Sequence, residues 1–167
     1  AQRAADPVVM QNVDFVARNR GRAHDLRLDA TPPADWGERF TLRARLRQPL
    51  LSGHNGRWQE WDGQLFADFA RVDVAQLRRS VDLGVQVEQG IGALRVWADV
   101  VQGSVSAATA DLALAQVNAT LAAGREPLLM HTLSGRLGGR RLAGGFEFFT
   151  QDLRFETADG LHWPGGN

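Results

Sequence analysis

Apolar and polar residues alternate most regularly over residues 39–47. A repeat of two places successive side chains on opposite faces of an extended chain. The apolar positions are Phe40, Leu42, Ala44 and Leu46, and the polar positions are Thr41, Arg43, Arg45 and Arg47. The segment therefore predicts a β-strand with one apolar face and one polar face.

Further strands are predicted on both sides of this segment, over residues 8–17, 24–30 and 63–72. A turn is predicted at Asn19-Arg20-Gly21, and prolines at Thr31-Pro32-Pro33 and at Pro49 end the neighbouring strands, because proline cannot donate to a ladder. Residues 52–57 have the serine, glycine and asparagine content that is typical of a loop.

One short helix is predicted near residues 73–81. Asp73 is a suitable N-cap, and Val74, Leu77 and Val81 recur at helical spacing. After this segment, Gly84 and Gly90 mark the return to strands.

The C-terminal half predicts a long hairpin followed by further strands. The arms of the hairpin cover residues 93–101 and 105–117, and they meet at Gln102-Gly103. A loop at 124–127 precedes strands near 128–137, 141–150 and 153–157. Because the second arm is much longer than the usual strand of about five or six residues, it favours an extended sheet over a compact barrel.

Composition and charge exclude several classes of function. The 167 residues are 44% hydrophobic and 23% charged, which is ordinary for one soluble globular domain. The 19 acidic residues balance 19 basic residues, all arginine, so the whole chain has no long-range field that attracts nucleic acid or anionic lipid. The chain has no cysteine, no long apolar run and no apolar signal-peptide core at its start. Because the sequence begins and ends abruptly, we expect it to be a piece of a longer protein.

No motif in the sequence predicts catalysis, a metal site or a cofactor. The four histidines are scattered without the spacing of metal ligands. Residues 134–139 lack the lysine and the strand-to-helix context of a phosphate loop, so we interpret them as a glycine-rich turn or strand. The arginine clusters lack interleaved aromatic residues, and we expect them to form a solvated outer face.

The apolar strand faces have two interpretations. They form the core of a closed sandwich or barrel, or they line an open, curved sheet that binds a hydrophobic ligand. One short helix is too small to cover so many strands, so a second sheet or a bound hydrophobe must do so. Alternation alone does not separate these two possibilities.

Several segments resemble one protein family. They are Asn19–Pro33, Trp61–Phe66, Val72–Val74, Gly92–Asp99, Leu133–Leu137 and Leu153–Pro164. These segments are similar to YhdP-like proteins of the AsmA-like superfamily. The resemblance spans most of the chain, and its motifs are structural patterns without a catalytic signature.

The resemblance implies a mostly β fold: an extended, curved antiparallel sheet that forms an open, β-taco-like groove, with the short helix near 73–81. Such proteins are anchored in the inner membrane of Gram-negative bacteria, extend across the periplasm and are linked to carrying phospholipids towards the outer membrane. Residues 1–167 would be a single groove segment of a much longer chain. The implied partners are acyl chains and adjoining segments, with membrane contact only through other parts. No nucleic acid, cofactor or enzymatic activity is implied.

Combined with this resemblance, the alternation identifies candidate lipid-facing residues. The first candidates are Phe40, Leu42, Ala44, Leu46, Leu94, Val96, Ala98 and Val100. Further candidates on strands that are apolar on both faces or rich in glycine are Leu112, Leu114, Phe146 and Phe148. Close packing of these side chains in a sealed, dry core would contradict the assignment.

Overall fold

The computed structural model describes residues 8–50, 57–80, 87–120 and 126–166. Its elements, in chain order, are β1 (Gln11–Arg20), β2 (Ala23–Thr31), β3 (Phe40–Arg47), a 3-10 turn (Trp58–Glu60), β4 (Asp62–Asp73), α1 (Val74–Ser80), β5 (Val87–Val101), β6 (Ser104–Ala119), β7 (Leu128–Leu142), β8 (Gly145–Thr157) and β9 (His162–Trp163). Residues 52–56 of the predicted loop at 52–57, the first half of the predicted loop at 124–127, the predicted helix end at Val81, and Gly84 lie outside the described residues.

The strands form one antiparallel sheet in which spatial order follows chain order from β1 to β9. Because β1 and β9 do not pair with each other, the sheet does not close into a barrel. Apart from contacts between neighbouring strands, the extensive contacts among the described elements are those of α1 with β4 and β5. The predicted mostly β, open antiparallel fold is confirmed, and the alternative of a closed sandwich or barrel is wrong for the described residues.

The start of α1 follows from local chemistry. The Asp73 carboxylate accepts a hydrogen bond at 2.9 Å from the Ala75 backbone N–H, which is the contact expected of the predicted N-cap. The next residue, Val74, is buried against the sheet. Within the described ranges, no helix is long and apolar enough to cross a membrane.

The hairpin predicted at Gln102-Gly103 is confirmed, and both residues have the positive φ, +50° and +67°, of a tight two-residue turn. The three strands predicted over residues 128–157 are wrong, since the segment forms only β7 and β8. Gly138 stays in the ladder because the Phe149 ring lies across the strand over its empty side-chain position. The predicted break before Leu153 is a β-bulge at Asp152, which has φ of +51°.

The predicted start of β5, at Ala93, is also wrong, because the strand begins at Val87. Gly90, which was interpreted as marking the return to strands, lies within β5. A Cβ at Gly92 would lie 2.1 Å from the Ala113 carbonyl oxygen, so only glycine permits this close approach of the two backbones. The short strand β9 was not predicted.

A packed core lies at the end of the sheet that α1 covers. Strict alternation fails in β6 and β7 near this end, where residues 115–116 are both exposed and residues 131–132 are both exposed. This one-residue slip in the alternation, with φ of +53° at Gln116, buries Val117 and Met130 beside α1. The core consists of Val74, Leu114, Val117, Ala119, Met130 and Leu133, with Leu112, Leu128, Leu153 and Phe155 packed against it.

Candidate ligand-binding face

The register of the strands collects apolar residues from β1 to β8 on one face of the sheet, which we call the apolar face. Two rows of directly paired residues cross it, and at about 4.8 Å per pair of strands each row is roughly 34 Å long. One row is Phe15, Leu28, Leu42, Ala67, Val96, Ala110, Leu137 and Thr150, and the other is Ala17, Leu26, Ala44, Leu65, Ala98, Ala108, Gly139 and Phe148. Apart from Thr150 at one end, these rows contain no polar side chain.

No described element covers the middle of the apolar face, since α1 packs only at one end of β4 and β5. The Leu65 side chain in the middle is 38% exposed, and at the two edges Phe15 is 63% and Phe148 is 77% exposed. A cavity of about 400 Å³ lies over β1 to β5, and Leu28, Leu42 and other apolar residues line it. This volume lies within the range of about 300–1,000 Å³ that is usual for ligand pockets.

The residues predicted to face lipid all lie on the apolar face, but their exposure differs. Those in its middle are half-buried, namely Leu42, Ala44, Leu46, Val96 and Ala98. Phe40, Leu94 and Val100 are buried, whereas Phe146 and Phe148 are exposed on the outer strand β8. Leu114 belongs to the packed core and Leu112 packs against it. The buried residues Phe40, Leu94, Val100 and Leu114 thus offer little surface to a ligand.

Four strands of the apolar face, β1, β2, β4 and β7, contain none of the predicted site residues. β2 contributes Leu26 and Leu28, and β4 contributes Leu65, Ala67 and Phe69. Both strands alternate in the sequence as β3 does, so alternation was the signal that could have identified them. Their place beside β3 and β5 depends on strand pairing, which alternation does not determine.

The opposite face of the sheet is charged, and we call it the polar face. The predicted solvated arginines Arg43, Arg45 and Arg47 are exposed on it. Ion pairs join neighbouring positions of this face: Arg27–Asp29 at 2.6 Å, Arg39–Asp14 at 2.5 Å, Arg45–Asp25 at 3.5 Å, Arg95–Asp68 at 3.3 Å, Arg136–Asp111 at 2.5 Å, and Arg140–Glu147. Exposed pairs of this kind contribute about 0–1 kcal/mol each. They keep this face in water rather than hold the fold together.

Hydrogen bonds lower the pKa of two aspartates on the polar face. Arg27 donates to the Asp29 carboxylate and the Thr41 hydroxyl donates to the same group, which lowers the pKa of Asp29 to about 2. Arg136 donates to Asp111 through two nitrogens, at 2.5 and 2.8 Å, and lowers the pKa of Asp111. Both carboxylates are therefore ionised at neutral pH.

The polar face has a concavity of its own, of about 430 Å³. Its lining combines Arg43 and Asp99 with the ring pair Phe66 and Trp97, whose centroids are 5.5 Å apart. The Arg136 guanidinium lies 5.9 Å from the Trp97 ring. Because charged groups surround these rings, the concavity suits hydrocarbon less well than the apolar face does.

The apolar face can shield hydrocarbon from water. Apart from Gly139 and the edge residue Thr150, its rows are built from alanine, valine, leucine and phenylalanine, which supply no nucleophile, acid or base. Across the described residues, no cluster of histidine, aspartate or glutamate is placed to hold a metal ion. The arrangement suits an apolar ligand that is bound by contact area alone.

An open antiparallel sheet with one uncovered apolar face and one charged face defines a β-groove protein. Residues 7–167 match the family model described as YhdP protein, and the chain belongs to the YhdP family. No curated protein matches the chain, and no solved structure matches it either. Membership of the family points to an AsmA-like role in lipid transport and to a periplasmic, envelope-associated protein.

Proposed function

We propose that this chain is a non-enzymatic segment of a hydrophobic groove that carries phospholipids between the inner and outer membranes of a Gram-negative bacterium. The observation that carries the proposal is the uncovered apolar face, whose paired rows run from β1 to β8 without a second layer over their middle. The lipid-transport character of the YhdP family supports it.

The physical argument concerns the cost of exposing acyl chains to water. Each CH₂ group that leaves hydrocarbon for water costs about 0.8 kcal/mol, so a free phospholipid crosses an aqueous space slowly. Side chains such as Leu42, Ala67 and Val96 replace the hydrocarbon that the lipid leaves. Because the rows offer no polar anchor inside the sheet, no single position holds the lipid tightly, and the lipid slides along them.

We further propose that adjoining segments of the same longer chain extend the groove. β1 and most of β8 are outer strands whose outer edges pair with no described residue. Phe15 and Phe148 carry the apolar face to these edges and are largely exposed there. Exposed apolar edges favour the addition of further strands.

The test of the proposal is whether the purified chain retains phospholipid. We expect native mass spectrometry to show bound phospholipid on the wild type and loss of it from Leu42→Glu and Val96→Glu, since each places a carboxylate on the apolar face. Arg43→Glu is the matched control, because Arg43 follows Leu42 in β3 and lies exposed on the polar face. Circular dichroism establishes that each variant is folded.

The control variant should retain the lipid. A wild-type chain without lipid, or folded Leu42→Glu and Val96→Glu variants that keep as much lipid as Arg43→Glu, would contradict the proposal. The second result would place the lipid away from the apolar face.

A further inference from the structure

The two ends of the strands carry opposite charge. We call the end with the β1–β2, β3–β4, β5–β6 and β7–β8 connections the turn rim, and the end with the other connections the helix rim, since α1 lies there. Among the described residues, arginine predominates at the turn rim, where Arg20, Arg22, Arg47, Arg57, Arg140 and Arg141 outnumber Glu60, Asp62 and Glu147. Carboxylates predominate at the helix rim, where Asp35, Glu38, Asp73, Glu88, Glu126 and Asp159 outnumber the arginines at positions 39, 71, 78 and 79. The zero net charge of the chain conceals this separation.

The two rims also differ in whether the apolar face is accessible. At the helix rim, Val74 of α1 and Val117 of β6 are buried in the packed core and the face is closed. At the turn rim, Phe146 and Val105 are more than half exposed. A ligand on the apolar face therefore reaches water at the turn rim.

Arginines at the turn rim are available to a ligand. Arg20, Arg47 and Arg141 form no ion pair with any other described residue. The Arg141 guanidinium lies 5.6 Å from the Phe146 ring, which places a cation directly beside exposed apolar surface. At the helix rim, by comparison, Arg39 is paired with Asp14 at 2.5 Å.

We infer that the phosphate of a bound phospholipid lies at the turn rim, with its acyl chains on the apolar face and pointing towards the helix rim. This inference rests on the proposed function and adds the orientation of the lipid and a residue that contacts its headgroup. Guanidinium groups bind phosphate through paired, charge-assisted hydrogen bonds, so Arg141, which lies on the apolar face opposite Phe146, favours an anionic headgroup. The carboxylates of the helix rim repel the same group.

The test compares two lipids that share acyl chains and differ in the headgroup. Dioleoylphosphatidylglycerol carries an anionic phosphate, whereas dioleoylglycerol has none, and both are delivered to the chain from neutral detergent micelles. We expect the wild type to bind the phosphate lipid about fivefold more tightly at low salt, as one exposed guanidinium–phosphate contact allows. The variant Arg141→Gln should bind the two lipids about equally. The matched control Arg154→Gln removes the same charge away from the turn rim and should keep the preference.

The outcomes separate this inference from the proposed function. If neither lipid binds the wild type, the proposed function fails and the orientation fails with it. If both lipids bind and the wild type does not distinguish them, the groove stands and the arginine headgroup site is wrong. Equal loss of the preference in Arg141→Gln and Arg154→Gln would also overturn the inference, because net charge rather than the turn rim would then explain the binding.

Discussion

The end of the sheet under α1 and the middle of its apolar face have the same kinds of side chain but different surroundings. Leu133 in the packed core is 8% exposed, whereas Leu65 in the middle of the apolar face is 38% exposed. Both are leucines in predicted strands, so residue type alone gives them the same interpretation. The difference arises from a single short helix and from the slip in β6 and β7 that turns Val117 and Met130 towards it. Apolar surface is packed at one end of the sheet and stays uncovered in the middle.

The largest expected effect is on stability, and it compares the two regions with the same substitution. Leu133→Ala should lower the free energy of unfolding by about 3 kcal/mol, because it leaves a cavity in packed surroundings. Leu65→Ala should lower it by about 1 kcal/mol or less, because water already reaches this side chain. Urea unfolding of the lipid-free chain measures both values. Equal losses for the two variants would show that the middle of the apolar face is packed as tightly as the covered end.

A smaller effect is expected from the N-cap of α1. Asp73→Ala removes the acceptor for the Ala75 N–H and should cost about 1 kcal/mol. Amide hydrogen exchange should become faster in α1 and unchanged in β3, because α1 does not contact β3 extensively. Asp35→Ala, an exposed aspartate in the connection before β3, is the control and should change stability by less than about 0.5 kcal/mol. Faster exchange across the whole sheet would mean that the helix stabilises both regions.

The smallest expected effect is on the pH dependence of stability, and it concerns Asp29 on the polar face. Because the pKa of Asp29 is lowered to about 2 in the folded chain from an ordinary value of 3.8, folding favours the ionised carboxylate. The contribution of Asp29 to stability is therefore fully present above about pH 4 and is lost as the pH falls towards about 2. The difference in unfolding free energy between the wild type and Asp29→Asn should shrink over this range. A carboxyl titration by NMR with its midpoint near 3.8 would contradict the Arg27 and Thr41 contacts.

Alternation predicted β3 with its observed bounds and the Gln102-Gly103 hairpin, and the N-cap residue Asp73 predicted the start of α1. These features depend on local patterns. The strand boundaries in β5, β7 and β8 could not be obtained in the same way. Glycines that resemble breaks in the sequence lie within the ladders, where Phe149 covers Gly138 and the Ala113 carbonyl approaches Gly92.

The candidate site was predictable in part for a similar reason. The alternation of β3 and β5 assigned the side chains that share the apolar face, and the structure places all of the predicted residues on that face. It could not show that Leu114 lies under α1, because that contact joins residues far apart in the chain. Whether a predicted apolar face was open or closed required the resemblance to a family, and the open sheet confirms that choice. The binding of lipid by these residues stays a prediction.

The central claim, that lipid lies on the apolar face and not on the polar face, is tested most directly with two neighbouring alanines of β6. Ala108 lies in a row of the apolar face, and Ala107 lies on the polar face opposite Asp99. Because the chain has no cysteine of its own, Ala107→Cys and Ala108→Cys each carry one reactive thiol for a bimane fluorophore. A phospholipid with a nitroxide near the glycerol end of its acyl chain should quench the bimane at position 108 strongly and the bimane at position 107 weakly. Equal quenching at both positions, or stronger quenching at position 107, would contradict the account.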